Sequence, residues 1–206
     1  MIKGIEKRTR LVIGISVLTI IIVAFEWSII DLITPFLMMP LLAVTFLVFF
    51  VGLAFSLSCL FKFKEIRWLA LVPLLVQLAA IFILVFVPFT KIWVNADFHF
   101  YKSQRQDVVE RVVSGDLVAN VSYNSSLIAL GYEYSKISMG GNEIIVQERD
   151  NMTYILFFTF RGILDNYSGF LYVPDGGDPR NFRDLHEDDV TQIIKYGENW
   201  YYISHH

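Results

Sequence analysis

Apolar and polar positions divide the chain into two regimes. Up to residue 90 the apolar positions come in long runs. Beyond it they alternate or cluster over short stretches separated by turn-forming residues. The first run, Leu11 to Ile30, is 20 residues long and interrupted only by Glu26. A helix of that length rises about 30 Å, the thickness of a bilayer's hydrocarbon core. The second run, Leu32 to Phe61, holds 30 uncharged residues. Pro35 and Pro40 belong to the first turns of its helix, where a missing N–H costs nothing, and this places the span at about 36–61. The third run, Trp68 to Thr90, has 23 residues without a formal charge and predicts a span over about 68–89, with Pro88 helping to end it. The first two spans, at about 11–30 and 36–61, are joined by a few residues only. They should form a tight antiparallel hairpin.

The first run follows a basic start, as in a signal peptide. It is longer than a signal core, and Glu26-Trp27-Ser28 lacks the small-x-small cleavage pattern, so an uncleaved anchor is expected. Sidedness follows from basic residues near the span ends. Lys3, Lys7, Arg8 and Arg10 precede the first span, and Lys62, Lys64 and Arg67 lie between the second and third. None stands around Asp31, and Lys91, Lys102 and Arg105 follow the third span. Seven against three puts the N-terminus and the 62–67 loop in the cytoplasm and residues 91–206 outside. Trp27, Phe61, Phe63, Trp68, Phe89 and Trp93 fall near span ends, where an aromatic belt is expected.

Past Pro88, the residues Ile92, Val94, Ala96, Phe98 and Phe100 alternate with more polar neighbours, which reads as an extended strand over residues 91–101. No Gly/Ser/Pro-rich linker intervenes, so the second part should sit close to the bilayer. Ser103 with Gln106 makes a capping box. Val108, Val109, Val112 and Val113 then share a helical stripe that needs a sheet to pack on, and Asp107 and Arg111 are spaced for an i,i+4 pair. Strand signals follow at Leu117–Tyr123, Leu127–Leu130, weakly at Tyr132–Ser138, and at Glu143–Glu148, Thr153–Phe160, Gly169–Val173, Gln192–Tyr196 and Trp200–Ser204. Turns fall at 140–142 and Asp150-Asn151. Thr153–Phe160 is apolar on both faces, as a central strand is. The predicted architecture is a membrane domain of three transmembrane helices over residues 1–90. A C-terminal α+β domain follows over 91–206, with one N-terminal helix packed on a mostly antiparallel sheet.

Composition agrees with this division. The chain is 55% hydrophobic with a mean hydropathy of +0.52. Residues 1–90 carry 7 Lys+Arg and 4 Asp+Glu, whereas residues 91–206 carry 10 and 16. The acidic second half argues against a nucleic-acid partner, whose recognition begins with a basic footprint. The one cysteine, Cys59, lies in an apolar run, so the second half holds no disulfide. A cysteine-free outward domain is the bacterial habit. In a bacterium the sequons at Asn120, Asn124, Asn151 and Asn166 carry no sugar.

Candidate chemistry is sparse. No nucleophile elbow, zinc-protease, P-loop or dinucleotide fingerprint occurs, and no enzyme, cofactor or metal is expected. His186-Glu187-Asp188-Asp189 lacks calcium-loop and zinc spacing and reads as a solvated acidic turn. Glu26, near the outer end of its span, reads as an anchor. Gly52, Ala54, Ser56 and Ser58 give small-xxx-small pairs (Gly52/Ser56, Ala54/Ser58) for close helix packing, within this chain or with a partner helix. The stretch from Arg161 to Gly169 joins two strong strands yet puts Ile163 and Leu164 at a loop tip between Arg161 and Asp165. Such a tip contacts a partner or the membrane surface, or folds back on the core with Arg161 paired to Asp165; isolated apolar residues at a surface are ordinary. The expected function is an integral membrane protein presenting a small extracytoplasmic binding or sensing domain. The alternatives are an accessory, structural or immunity-type subunit of a bacterial envelope complex and, behind these, an enzyme at the outer membrane face. Its expected partners are the lipid bilayer and another membrane or envelope protein.

Overall fold

The computed structural model describes residues 2–162, 166–182 and 190–205. The chain forms two compact units, residues 1–93 and 94–206. It is an α+β protein, with helices α1 (Ile2–Ala24), α2 (Glu26–Ile33), α3 (Pro35–Leu60), α4 (Phe63–Ile66), α5 (Val72–Phe86) and α6 (Phe89–Val113). Six strands follow: β1 (Leu127–Ala129), β2 (Glu143–Arg149), β3 (Met152–Arg161), β4 (Tyr167–Tyr172), β5 (Val190–Lys195) and β6 (Trp200–His205).

Among the described residues of the first unit α3 alone is long and apolar enough to cross a membrane as one uninterrupted helix. Its bounds lie within a residue of the expected 36–61. The other two expected spans are broken. α1 and α2 meet at 73° around Phe25, and α5 and α6 meet at 56° around Pro88; counting each bent pair as one span gives three. Pro88 accounts for the second break, because it has no N–H to continue the α5 ladder. α1 packs on both α3 and α5.

Burial in these helices runs opposite to that of a water-soluble bundle. The inner faces carry Val12, Ser16 and Thr19 on α1, Thr45, Phe49, Gly52, Ser56 and Cys59 on α3, and Pro73, Gln77 and Ala80 on α5. The steps from Thr45 to Cys59 alternate four and three residues, the spacing of a seam between helices. Leu18, Leu47, Phe50, Phe82 and Phe86 point outward. The inner hydroxyls bond backward along their own helices: Thr19 to the Ile15 carbonyl at 2.9 Å, Thr45 to Leu41 at 2.7 Å and Ser56 to Gly52 at 3.0 Å.

The second unit begins with a correction. The extended strand expected over 91–101 is helix, and the capping box at Ser103 lies inside α6. The buried positions Val94, Asp97, Phe98, Arg105, Val108 and Val109 repeat at helical spacing, and two of them are charged. A hydrophobic count passes over those two and leaves an apparent period of two. Val108 and Val109 are buried as the stripe requires, whereas Val113 is exposed. Asp107 and Arg111 meet through the Tyr134 hydroxyl, which donates to Asp107 and accepts from Arg111 Nη1.

The sheet order is β1-β2-β3-β4-β6-β5, antiparallel throughout. Leu117–Tyr123 is not a strand. The Asn120 side chain takes a strand's place, donating to the Ala129 carbonyl at 2.9 Å and accepting from the Ala129 N–H at 2.8 Å. That amide pairs both backbone groups of Ala129 on the open edge of β1. Tyr132–Tyr134 is a 3-10 turn rather than a strand. The Asp150-Asn151 turn has φ of +54° and +58°, the two left-handed residues of a tight hairpin.

β3 and β4 occupy the middle of the sheet and bury both faces. One face gathers Tyr154, Leu156, Phe158, Leu171, Val173 and Ile203 under Phe182. On the other, Phe98 of α6 meets Phe170 at 5.0 Å, Tyr196 at 5.2 Å and Trp200 at 6.1 Å, and Phe157 packs on Trp200 at 5.7 Å. Gly169 stands opposite Phe158 beside a register shift in β3. A Cβ there would lie 2.3 Å from the Phe157 carbonyl oxygen, which is backbone and cannot yield. Gly169→Ala should therefore destabilise the sheet unit by about 1–3 kcal/mol. Denaturant unfolding of the detergent-solubilised chain measures it, and an unchanged midpoint would contradict the register.

Candidate functional site

Arg161 closes β3 and Glu143 opens β2, so the antiparallel register brings both to one end of the sheet. Arg161 Nη1 donates to Glu143 Oε2 at 2.8 Å and to the Gly140 carbonyl at 3.0 Å, and the guanidinium lies 4.7 Å from the Phe158 ring centre. The Tyr123 hydroxyl donates to the second Glu143 oxygen at 2.8 Å. The turn at 140–142 leads to Glu143 with Gly140 at φ +71° and a Cβ position 2.9 Å from the Arg161 side chain. Glycine there satisfies both the backbone and the crossing arginine. On the other side of Arg161, the Gly162 N–H bonds the Asn166 carbonyl at 2.7 Å and closes the base of the β3–β4 connection. This end presents a half-exposed guanidinium already held by a carboxylate, beside an exposed tyrosine ring. It is equipped to hold a loop base and to offer an aromatic and a cation to a polar partner.

Of the expected contact residues, Arg161 is thus placed. Ile163, Leu164 and Asp165 lie outside the described residues, as do His186, Glu187, Asp188 and Asp189. Of the small-residue set, Gly52 and Ser56 are buried, with Gly52 against Ile15 and Gln77. Ala54 is exposed and Ser58 half-exposed on the outer side of α3. Glu26 opens α2, half-buried. Among the described residues no group of three His, Cys, Asp or Glu is close enough to hold a metal ion.

Asp97 and Arg105, which sequence patterning passed over, form the most deeply desolvated charge pair. Arg105 is 1% exposed and Asp97 5%. Arg105 Nη2 donates to Asp97 Oδ2 at 2.5 Å, Nη1 to the Asp97 carbonyl at 3.2 Å and Nε to the Ile137 carbonyl at 3.0 Å. The guanidinium sits 4.7 Å from the Phe170 ring centre. One arginine thereby fastens two turns of α6, the loop at Ile137 and the middle of β4. Burial pushes the Asp97 carboxyl above the usual aspartate range, against the opposing pull of the Arg105 charge and hydrogen bond. Burial likewise lowers Arg105, which stays protonated because arginine starts far above neutrality. The signal that finds this pair is the helical spacing of residues 94 to 109 read with charges admitted.

The chain was compared with known protein families, curated proteins and solved structures, and nothing matches in any of the three.

Removing one partner of a buried pair strands the other charge. Arg105→Met should destabilise the sheet unit by about 3–5 kcal/mol, and adding Asp97→Leu should recover part of that loss. The variant's lone carboxyl feels burial alone, so its folded pKa rises further. A raised carboxyl is neutral and tolerated at low pH and loses stability as pH climbs through its folded value. The deficit against the unmodified chain should therefore be larger at neutral than at mildly acidic pH. Unfolding midpoints at the two pH values measure it, and an equal deficit at both would contradict the assignment.

Proposed function

We propose that the chain is a three-span integral membrane protein with a cytoplasmic N-terminus that presents its second unit outside the membrane as a non-catalytic binding or sensing module. The observation that carries the membrane reading is the inverted burial of the first unit. Large apolar side chains cover its outside, and small or hydroxylated ones make up most of its inside beside Val12, Met38 and Phe49, an arrangement favoured where the solvent is hydrocarbon. The bent pair α1 with α2 then serves as one span beside α3, and α5 with the first turn of α6 as another, the rest of α6 belonging to the second unit. The basic residues before the first span and in the 62–67 loop support the sidedness. For binding, the exposed Tyr123 ring and the Arg161 guanidinium at one sheet end are the groups best suited to a partner.

A second reading, an accessory or immunity-type subunit of an envelope complex, draws on Ala54 and Ser58. Small residues on the outer side of α3 let another helix come close. Stoichiometric co-purification with a second membrane protein separates it from a free-standing sensor.

Asp175 is exposed in the sheet unit, and its carboxylate accepts from Asn199 Nδ2 at 2.8 Å. With Cys59 replaced by alanine, Asp175→Cys should react with an impermeant thiol reagent in intact cells, while Lys62→Cys reacts only after permeabilisation. The reverse pattern would overturn the sidedness.

A further inference from the structure

The first unit encloses polar atoms that its own helices leave bare. Gln77, on the inner face of α5, is 0% exposed, and neither Oε1 nor Nε2 has a hydrogen-bond partner among the described residues. Ser16, on the inner face of α1, is 2% exposed, and its Oγ is likewise unpartnered. The nearby hydroxyls of Thr19, Thr45 and Ser56 behave differently, each bonding the carbonyl four residues back. Gly52 marks the level at which the three helices converge. A Cβ there would stand 2.8 Å from Gln77 Nε2 and 3.6 Å from two side-chain carbons of Ile15, the residue before Ser16. The side chain that Gly52 lacks is the space into which the Gln77 amide turns.

The chemistry of these atoms selects what they hold. An amide and a hydroxyl left bare in an apolar interior are costly, and a leucine at either position would avoid the cost. Among the described residues none of the buried side chains of α1, α3 and α5 is charged, so an ion would keep its full desolvation penalty. The amide needs a partner that accepts from Nε2, and Oε1 and the hydroxyl need one that donates. Full burial limits that partner to a very small molecule. We propose that Gln77 and Ser16 form a binding site for an ordered water molecule, held between α1 and α5 at the level of Gly52. Such a water makes two or more hydrogen bonds at once and ties α5 to α1. Gly52 is the gate residue, because a methyl group there takes the amide's place. The site is internal to the bundle and does not depend on which side the second unit lies.

Water-to-amide polarisation transfer in the full chain tests this, in lipid bilayers with glutamine side chains labelled with nitrogen-15. The Gln77 signal is the one that Gln77→Leu removes. Transfer from water to the Gln77 amide is expected, with loss of that transfer in Gly52→Ala and retention in Gly14→Ala, where a Cβ meets nothing within 4 Å. If the Gln77 amide receives nothing while the exposed Gln104 amide does, the interior is dry and the proposal fails. Undiminished transfer in Gly52→Ala would equally remove the site from the level of Gly52. Should Gly52→Ala not fold, the unmodified chain alone decides.

Discussion

The outer surface of α1, α3 and α5 is apolar, and on the proposed membrane reading keeping it out of water is the constraint to which the rest of the first unit answers. Leucine and phenylalanine occupy positions that a soluble bundle gives to lysine and glutamate, and serine, threonine and glycine occupy positions it gives to leucine. In hydrocarbon the drive to hide large side chains disappears, and close approach of backbones takes over. Gly52 and Ser56 permit that approach. The buried hydroxyls then bond to their own helices because no solvent is there to satisfy them. Gln77 is the exception, turned inward against Gly52.

The second unit solves the opposite problem with ordinary means. It has no cysteine to staple it, and it relies on a sheet buried on both faces and on aromatic contacts around Phe98, Phe170 and Trp200. Aromatic pairs of this geometry contribute about 0.5–1.5 kcal/mol each beyond their buried area. The Asp97–Arg105 pair acts by a different route. Its net contribution is limited by desolvation, but it fixes which turn of α6 faces β4, since any other docking leaves two charges bare in the core. Asn120 does similar work at the sheet edge, where its side-chain amide pairs both backbone groups of Ala129.

What could be read from the sequence follows from where the free energy lies. The α3 boundaries were legible because a run of 30 uncharged residues has no competing interpretation. β3 was legible because it is apolar on both faces, and the Asp150-Asn151 turn because those residue types tolerate positive φ. α6 was misread because its inner face includes Asp97 and Arg105, whose burial depends on each other and on Ile137, 32 residues away. No local pattern reports a pairing of that kind. Leu117–Tyr123 was misread because Asn120 satisfies β1 through its side chain, which propensity does not encode. At the candidate site the sequence singled out Arg161, but its partners Glu143, Gly140 and Tyr123 come from the register of β2 against β3 and the turn before it.

The most direct measurement of the central claim, that the first unit is built for lipid, is collision accessibility of nitroxide labels along α3. The chain would be in bilayers and free of Cys59. Labels at the outward Leu47 and Phe50 should be relaxed strongly by oxygen and weakly by a water-soluble nickel complex, while a label at the buried Ser56 should be shielded from both. Relaxation of Leu47 and Phe50 by nickel as strong as that of a label at the exposed Asp175 would contradict the account.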